Sequence, residues 1–121
     1  MIKLICQLKD ITVAMSNIEM QLNDKYGVGL NEAMALCCLS DGKLSASEIA
    51  EKTGMGSSHC SKVIKSIEQK ELIKRSLGEC DKRQMYFCLN EEGQKKLKEI
   101  KCKSILIPEI LKPVFGSCDD E

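Results

Sequence analysis

The chain has 121 residues, 43% of them apolar and 30% charged, and a formal net charge of zero. That length fits one domain whose hydrophobic core needs no metal or disulfide staple, and the composition excludes wholesale disorder. Two Phe, two Tyr and no Trp call for an aliphatic core with Met and Cys as gap fillers, and argue against a single-strand binder built on aromatic stacking platforms.

Charge is unevenly distributed. From Ser57 to Arg83 the cations are Lys62, Lys65, Lys70, Lys74, Arg75, Lys82 and Arg83, against the anions Glu68, Glu71, Glu79 and Asp81, so seven less four leaves +3. A local basic surface on a neutral chain suits a duplex binder tuned for release. The opening MIKLICQLKD has no long apolar run, so no signal peptide is expected, and no stretch approaches the roughly 18 apolar residues of a membrane helix. The expected compartment is the cytoplasm. Eight cysteines (6, 37, 38, 60, 80, 88, 102 and 118) include no Cys-x-x-Cys, and there is one His. Neither a disulfide framework nor a metal site is expected, and most of the cysteines read as reduced apolar fillers. With no nucleophile motif and no phosphate-binding loop, there is no constellation for an enzyme and no cofactor to expect.

In chain order, Leu4, Leu8, Ile11, Met15, Ile18 and Leu22 recur at alternating steps of four and three. They predict a long amphipathic helix stopped by Gly27. A stripe so narrow fits helix–helix packing, either within the chain or across a dimer seam. A short, largely apolar helix follows from Leu30 to Leu39, with Asn31 as candidate N-cap and Leu30, Met34, Leu36, Cys37 and Leu39 as its apolar residues. Ser40-Asp41-Gly42 signals a turn, and Lys43-Leu44 a very short strand. Ser45-Ala46-Ser47-Glu48 is a capping box that opens a helix closed by Gly54. After Gly54-Met55-Gly56, a second helix starts at Ser57 or Ser58, either of which can cap it. Two short helices joined by a glycine turn make a helix-turn-helix.

On that second helix Cys60, Val63, Ile64 and Ile67 form the inward stripe. Its other side carries Ser57, Ser58, His59, Ser61, Lys62, Lys65, Ser66 and Gln69, groups able to bond base edges and phosphates in a major groove. A solvated helix face has the same composition; the place of this one, after a glycine turn and before a basic hairpin, favours DNA. The hairpin pairs residues 72–77 with 84–89 across a tip, Gly78 to Arg83. At that tip Lys82 and Arg83 can contact DNA, Arg83 in a minor groove, with Asp81 placed to orient it. Asn90, followed by Glu91 and Glu92, caps a last helix whose apolar side includes Leu97 and Ile100 and which continues toward Ser104 or Ile105. Pro108 interrupts it, Glu109-Ile110-Leu111 adds a turn before Pro113, and the tail from Gly116 is expected to fray.

This ordered set resembles the MarR family of winged-helix transcriptional regulators. The residues that carry the likeness are Leu30-Asn31-Glu32, Ser47-Glu48-Ile49-Ala50, Ser58 to Arg75, Asp81-Lys82-Arg83 and Leu89-Asn90-Glu91-Glu92-Gly93. The resemblance implies a mainly α fold with a minor β part: a winged helix-turn-helix with long N- and C-terminal dimerisation helices. The single domain 1–121 would divide into dimerisation helices at 1–27 and 91–115 and a DNA-binding core at 30–90. It also implies a homodimer on a pseudo-palindromic double-stranded DNA operator, usually a repressor, released by a small-molecule effector. Three positions depart from the family pattern. Glu71 stands where a glycine commonly ends the recognition helix, His59 where a hydroxyl is common, and Asn90 where a threonine is usual.

Two other functions fit parts of the sequence. A winged helix used only as a protein-interaction module would explain the zero net charge. A thiol-based redox regulator would use Cys6, as in one MarR branch, or Cys60 or Cys80, provided the thiol is exposed and its pKa lowered.

Overall fold

A computed structural model describes residues 1–77, 84–100 and 108–111. The chain divides into two units, one formed by Met1–Leu30 with the described residues from Ile100 onward, the other by Asn31–Glu99.

In the first unit, helix α1 runs from Ile2 to Tyr26 and ends on Gly27, whose left-handed backbone (φ 71°) lets its amide reach the Asn23 carbonyl at 3.0 Å. The heptad stripe predicts this helix and its stop correctly. It is only partly covered, however: Leu22 is buried and Ile11 and Ile18 are half-buried, while Leu4, Leu8 and Met15 lie exposed. Beyond α1 the Leu30 amide donates to Glu19 Oε2 at 3.2 Å. A single 3-10 turn, Glu109–Leu111, lies against α1 with Leu111 buried, as the Pro108 break predicts.

The second unit opens on α2, Leu30–Cys38, which passes through a 3-10 turn, Leu39–Asp41, to an isolated bridge between Leu44 and Phe87. Helix α3, Ala46–Thr53, has the expected capping box: Ser45 Oγ accepts from the Glu48 amide and Glu48 Oε1 accepts from the Ser45 amide. Gly54, again left-handed at φ 77°, closes it, and α4 follows over Ser57–Gln69. Strands β1 (Ile73–Leu77) and β2 (Met85–Leu89) pair antiparallel with Ile73 opposite Leu89 and Leu77 opposite Met85. Helix α5 runs over Glu91–Ile100, capped by Asn90 Oδ1 accepting from the Gly93 amide at 2.8 Å. Two helices across a glycine turn, a hairpin wing and a following helix make this a winged helix-turn-helix, mostly helical with one two-stranded sheet.

Its core is aliphatic: Ala35, Leu36, Ile49, Ile64 and Ile67 are all at most 4% exposed, with Phe87 the buried ring. Three local expectations are corrected. Asn31 is not an N-cap but sits within α2, its side chain turned to His59. Gly56, not Ser57 or Ser58, is the N-cap of α4, and no side chain caps it. Cys37 is exposed rather than apolar filling, as is Cys6; of the described cysteines only Cys60 is buried. Ser104, Ile105, Pro113 and the tail lie outside the described residues.

Candidate nucleic-acid interface

Helix α4 is set by its inward stripe. Cys60, Val63, Ile64 and Ile67 are all buried, as their spacing predicts. That fixes which residues point away: Ser57, Ser58, Ser61, Lys62, Lys65 and Gln69 are exposed together along one face, and His59, also exposed, lies at its edge with Nε2 2.8 Å from Asn31 Nδ2. Ser66 does not join them. It is half-buried, and its hydroxyl donates to Glu32 Oε2. The tip residues Asp81, Lys82 and Arg83 lie outside the described residues, as does Cys80; the two strands that lead to the tip are in place.

An ion pair joins helix to wing. Arg75 on β1 donates to Glu68 on α4 through Nε at 2.6 Å and through a terminal nitrogen at 3.1 Å, a two-pronged contact. The bond from Arg75 holds the Glu68 carboxyl below its ordinary value against a smaller opposing effect of burial, and the same bond raises the Arg75 pKa. The guanidinium also lies 5.8 Å from the centre of the Phe87 ring, within the range of a cation–π contact. Ser61, Lys65, Gln69 and these three residues line an open groove of about 570 Å³ between α4 and the hairpin.

Lys70 is likewise paired, to Glu32 Oε1 at 2.7 Å. Two of the five described cations in the basic stretch are thus engaged by carboxylates. Among the described residues Lys62, Lys65 and Lys74 carry no ion pair, and the first two lie on the outward face of α4. Composition did not single out Glu32, Glu68 or Arg75. A lone acid inside the apolar run Leu30–Leu39 was the available signal for Glu32.

The joint between α4 and β1 is a Schellman motif. The Leu72 amide donates to the Ile67 carbonyl at 3.1 Å and the Glu71 amide to the Glu68 carbonyl at 2.9 Å. Glu71 sits at the left-handed position with φ 61°, the one non-glycine residue with positive φ among the described residues. The family comparison, a glycine there, identifies this geometry correctly. Asn90 Nδ2 donates to the Glu71 carbonyl at 2.8 Å, and the Asn90 amide to the Leu72 carbonyl at 3.2 Å. Gly93 then packs so close that a Cβ on it would lie 2.0 Å from the Leu72 oxygen.

Of the redox candidates, Cys60 is buried, and burial followed by the neighbouring Cys38 pushes its thiol pKa up. Such a thiol is a poor nucleophile. Cys6 is exposed. Among the described residues no group of three or more His, Cys, Asp or Glu is arranged to hold a metal ion, and no helix is long and apolar enough to cross a membrane.

A family model described as "Transcriptional regulator SarA/Rot" matches residues 17–100. No curated protein matches the chain by sequence. Among solved structures, YusO from Bacillus subtilis is 27% identical with a TM-score of 0.64, over 81% of this chain and 70% of that one. AbsC, a MarR family transcriptional regulator from Streptomyces coelicolor, is 24% identical with a TM-score of 0.70, over 77% and 64%. A variant of MepR from S. aureus bound to an oligodeoxyribonucleotide is 21% identical with a TM-score of 0.60, over 75% and 68%. The last two share the fold with this chain.

Proposed function

The chain belongs to the SarA/Rot family of transcriptional regulators, and from that premise we propose that it binds double-stranded DNA sequence-specifically, with α4 as recognition helix. The observation that carries this reading is the exposed face of α4. It gathers hydroxyls (Ser57, Ser58, Ser61), the His59 imidazole at its edge and Lys62 and Lys65, which have no ion pair among the described residues, on a helix whose other side is locked into a core. Hydroxyls and an imidazole read base edges in the major groove, and lysines hold phosphates. The wing would place Lys82 and Arg83 at the adjacent minor groove, with Asp81 orienting the arginine. A MepR variant of the same fold is bound to an oligodeoxyribonucleotide, which supports DNA as the partner.

The chain acts as a homodimer on a pseudo-palindromic operator. The exposed Leu4, Leu8 and Met15 of α1 support that part of the reading, because a heptad stripe left open in one copy is what a second copy covers. The family is one of regulators and not of enzymes, and the place of action is the cytoplasm, where the DNA is. The direction of control is repression, relieved by a small molecule.

Duplexes selected from a random pool, with half-site spacing read out, test the reading. Half-site centres about 10 bp apart or a multiple of that support a two-fold dimer. Lys62→Ala should weaken binding and make the dependence of log K on log salt shallower by about two, one phosphate contact from each protomer of the dimer. Binding untouched by Lys62→Ala and Arg83→Ala would put the interface elsewhere.

A further inference from the structure

The outward face of α4 can read DNA only if the helix is held at one rotation about its own axis. Its apolar stripe sets which side faces the core, but apolar contact is non-directional and leaves the finer rotation to directional bonds. Beside that stripe runs a polar seam. His59 and Ser66 on α4 and Lys70, its C-cap residue, recur at steps of seven and four, the spacing of a single helix side. All three are bonded to two adjacent residues in the first turn of α2. Asn31 Nδ2 lies 2.8 Å from His59 Nε2, the Ser66 hydroxyl donates to Glu32 Oε2, and Lys70 Nζ lies 2.7 Å from Glu32 Oε1.

Glu32 is only 8% exposed. A carboxylate at that depth is costly unless it is paired and hydrogen-bonded, and here each oxygen has a partner on the same helix. The bonds are directional and span nearly the full length of α4. A small roll of α4 would break them together.

We propose that Asn31 and Glu32 are the positioning residues of the recognition helix: through His59, Ser66 and Lys70 they fix the rotation at which α4 presents its reading face. Ser66 and Lys70 thus serve DNA binding without touching DNA, which separates them from Lys62 and Lys65 although all four share one helix. This inference rests on α4 being the recognition helix.

The two roles differ in their salt dependence. Binding to the selected operator is measured at several salt concentrations for the full chain, with active protein counted by stoichiometric titration, so that a loss of folded molecules does not pass for a loss of affinity. Glu32→Gln, Ser66→Ala and Lys70→Gln should each weaken binding per active molecule, Glu32→Gln roughly tenfold as expected for a lost hydrogen bond to a charged group. The salt slope should stay at the wild-type value in all three. The double variant Glu32→Gln with Lys70→Gln should lose no more than the worse single variant, because both remove one interaction.

A slope made shallower by about two in Lys70→Gln, one contact per protomer, would make that lysine a phosphate contact and overturn the assignment. So would wild-type affinity per active molecule in both Glu32→Gln and Ser66→Ala. Should Glu32→Gln fail to fold, Ser66→Ala carries the test, since it leaves the buried carboxylate paired with Lys70. Failure of the DNA reading itself registers separately, as Lys62→Ala binding like wild type. The seam is then judged without DNA, by hydrogen exchange. Glu32→Gln should speed exchange of α4 amides relative to those of α3, and equal protection would overturn it.

Discussion

Replacing Glu71 with glycine should make this protein more stable by about 0.5 to 1 kcal/mol. Glu71 is held at φ 61°, a region in which a Cβ crowds the following carbonyl at a cost of roughly 1–2 kcal/mol. Glycine carries no such penalty but has a freer unfolded chain, which returns about 0.4–1 kcal/mol. The backbone bonds that define the joint, from Glu71 to Glu68, from Leu72 to Ile67 and from Asn90 to the Glu71 carbonyl, are all independent of the Glu71 side chain, which is exposed. At about 2.1 cal/mol/K per residue of unfolding entropy, the gain corresponds to a Tm rise of roughly 2–4 °C. Urea unfolding gives the cleanest measure, with the midpoint moving up at an unchanged slope. Glu71→Ala is the control: it removes the carboxylate but keeps the Cβ, and should stay within about 0.5 kcal/mol of wild type. If alanine and glycine stabilise equally, the strain argument is wrong and the effect belongs to the charge.

Gly93→Ala should be among the most damaging single-methyl changes in the chain. Its Cβ would meet the Leu72 carbonyl at 2.0 Å, so the start of α5 must shift, at about 3 kcal/mol, the upper end of ordinary overpacking costs; an unchanged urea midpoint would show that the helix yields freely. Glu68 ties wing to α4, and because its folded pKa is lowered below 4.5 by Arg75, its contribution is present above that value and lost as pH falls through the folded one. The stabilities of wild type and Glu68→Gln should therefore differ at neutral pH and converge in acid, and curves that stay parallel would mean the pair adds nothing. In the folded protein a maleimide followed by mass spectrometry should label Cys6 and Cys37 well before Cys60, which is buried with its pKa raised. Labelling of Cys60 at the Cys37 rate would contradict that burial.

What the sequence made legible was local. The stop at Gly27, the Ser45–Glu48 box, the stripe from Cys60 to Ile67 and the Asn90 cap each depend on residues within a few positions of one another, where geometry follows directly from spacing. Glu71 was found by comparison with a family pattern and then confirmed as a backbone conformation. The polar partnerships were not legible. Asn31 reads as a helix cap because asparagine is a good one, yet its partner His59 lies 28 residues away, and Glu32 finds Ser66 and Lys70 at 34 and 38 residues. No periodicity encodes such pairings; they arise only once α2 and α4 are packed. The same holds for Gly93, whose lack of a side chain matters because of a carbonyl 21 positions earlier in the sequence, at Leu72.

That approach at Leu72 also bears on how the wing can vary. The chain departs for the hairpin at Leu72 and comes back at Asn90, and the two residues are bonded backbone to backbone, with the Asn90 side chain fastened to the carbonyl beside them. The wing is consequently a closed appendage with a fixed root. Residues added between Leu77 and Gln84 would lengthen it without moving α4 or α5, and each doubling of a flexible loop costs only about 0.6 kcal/mol. On the proposed reading, the reach of the wing can then be altered separately from α4, so that contacts flanking an operator are adjustable while its central sequence preference stays put.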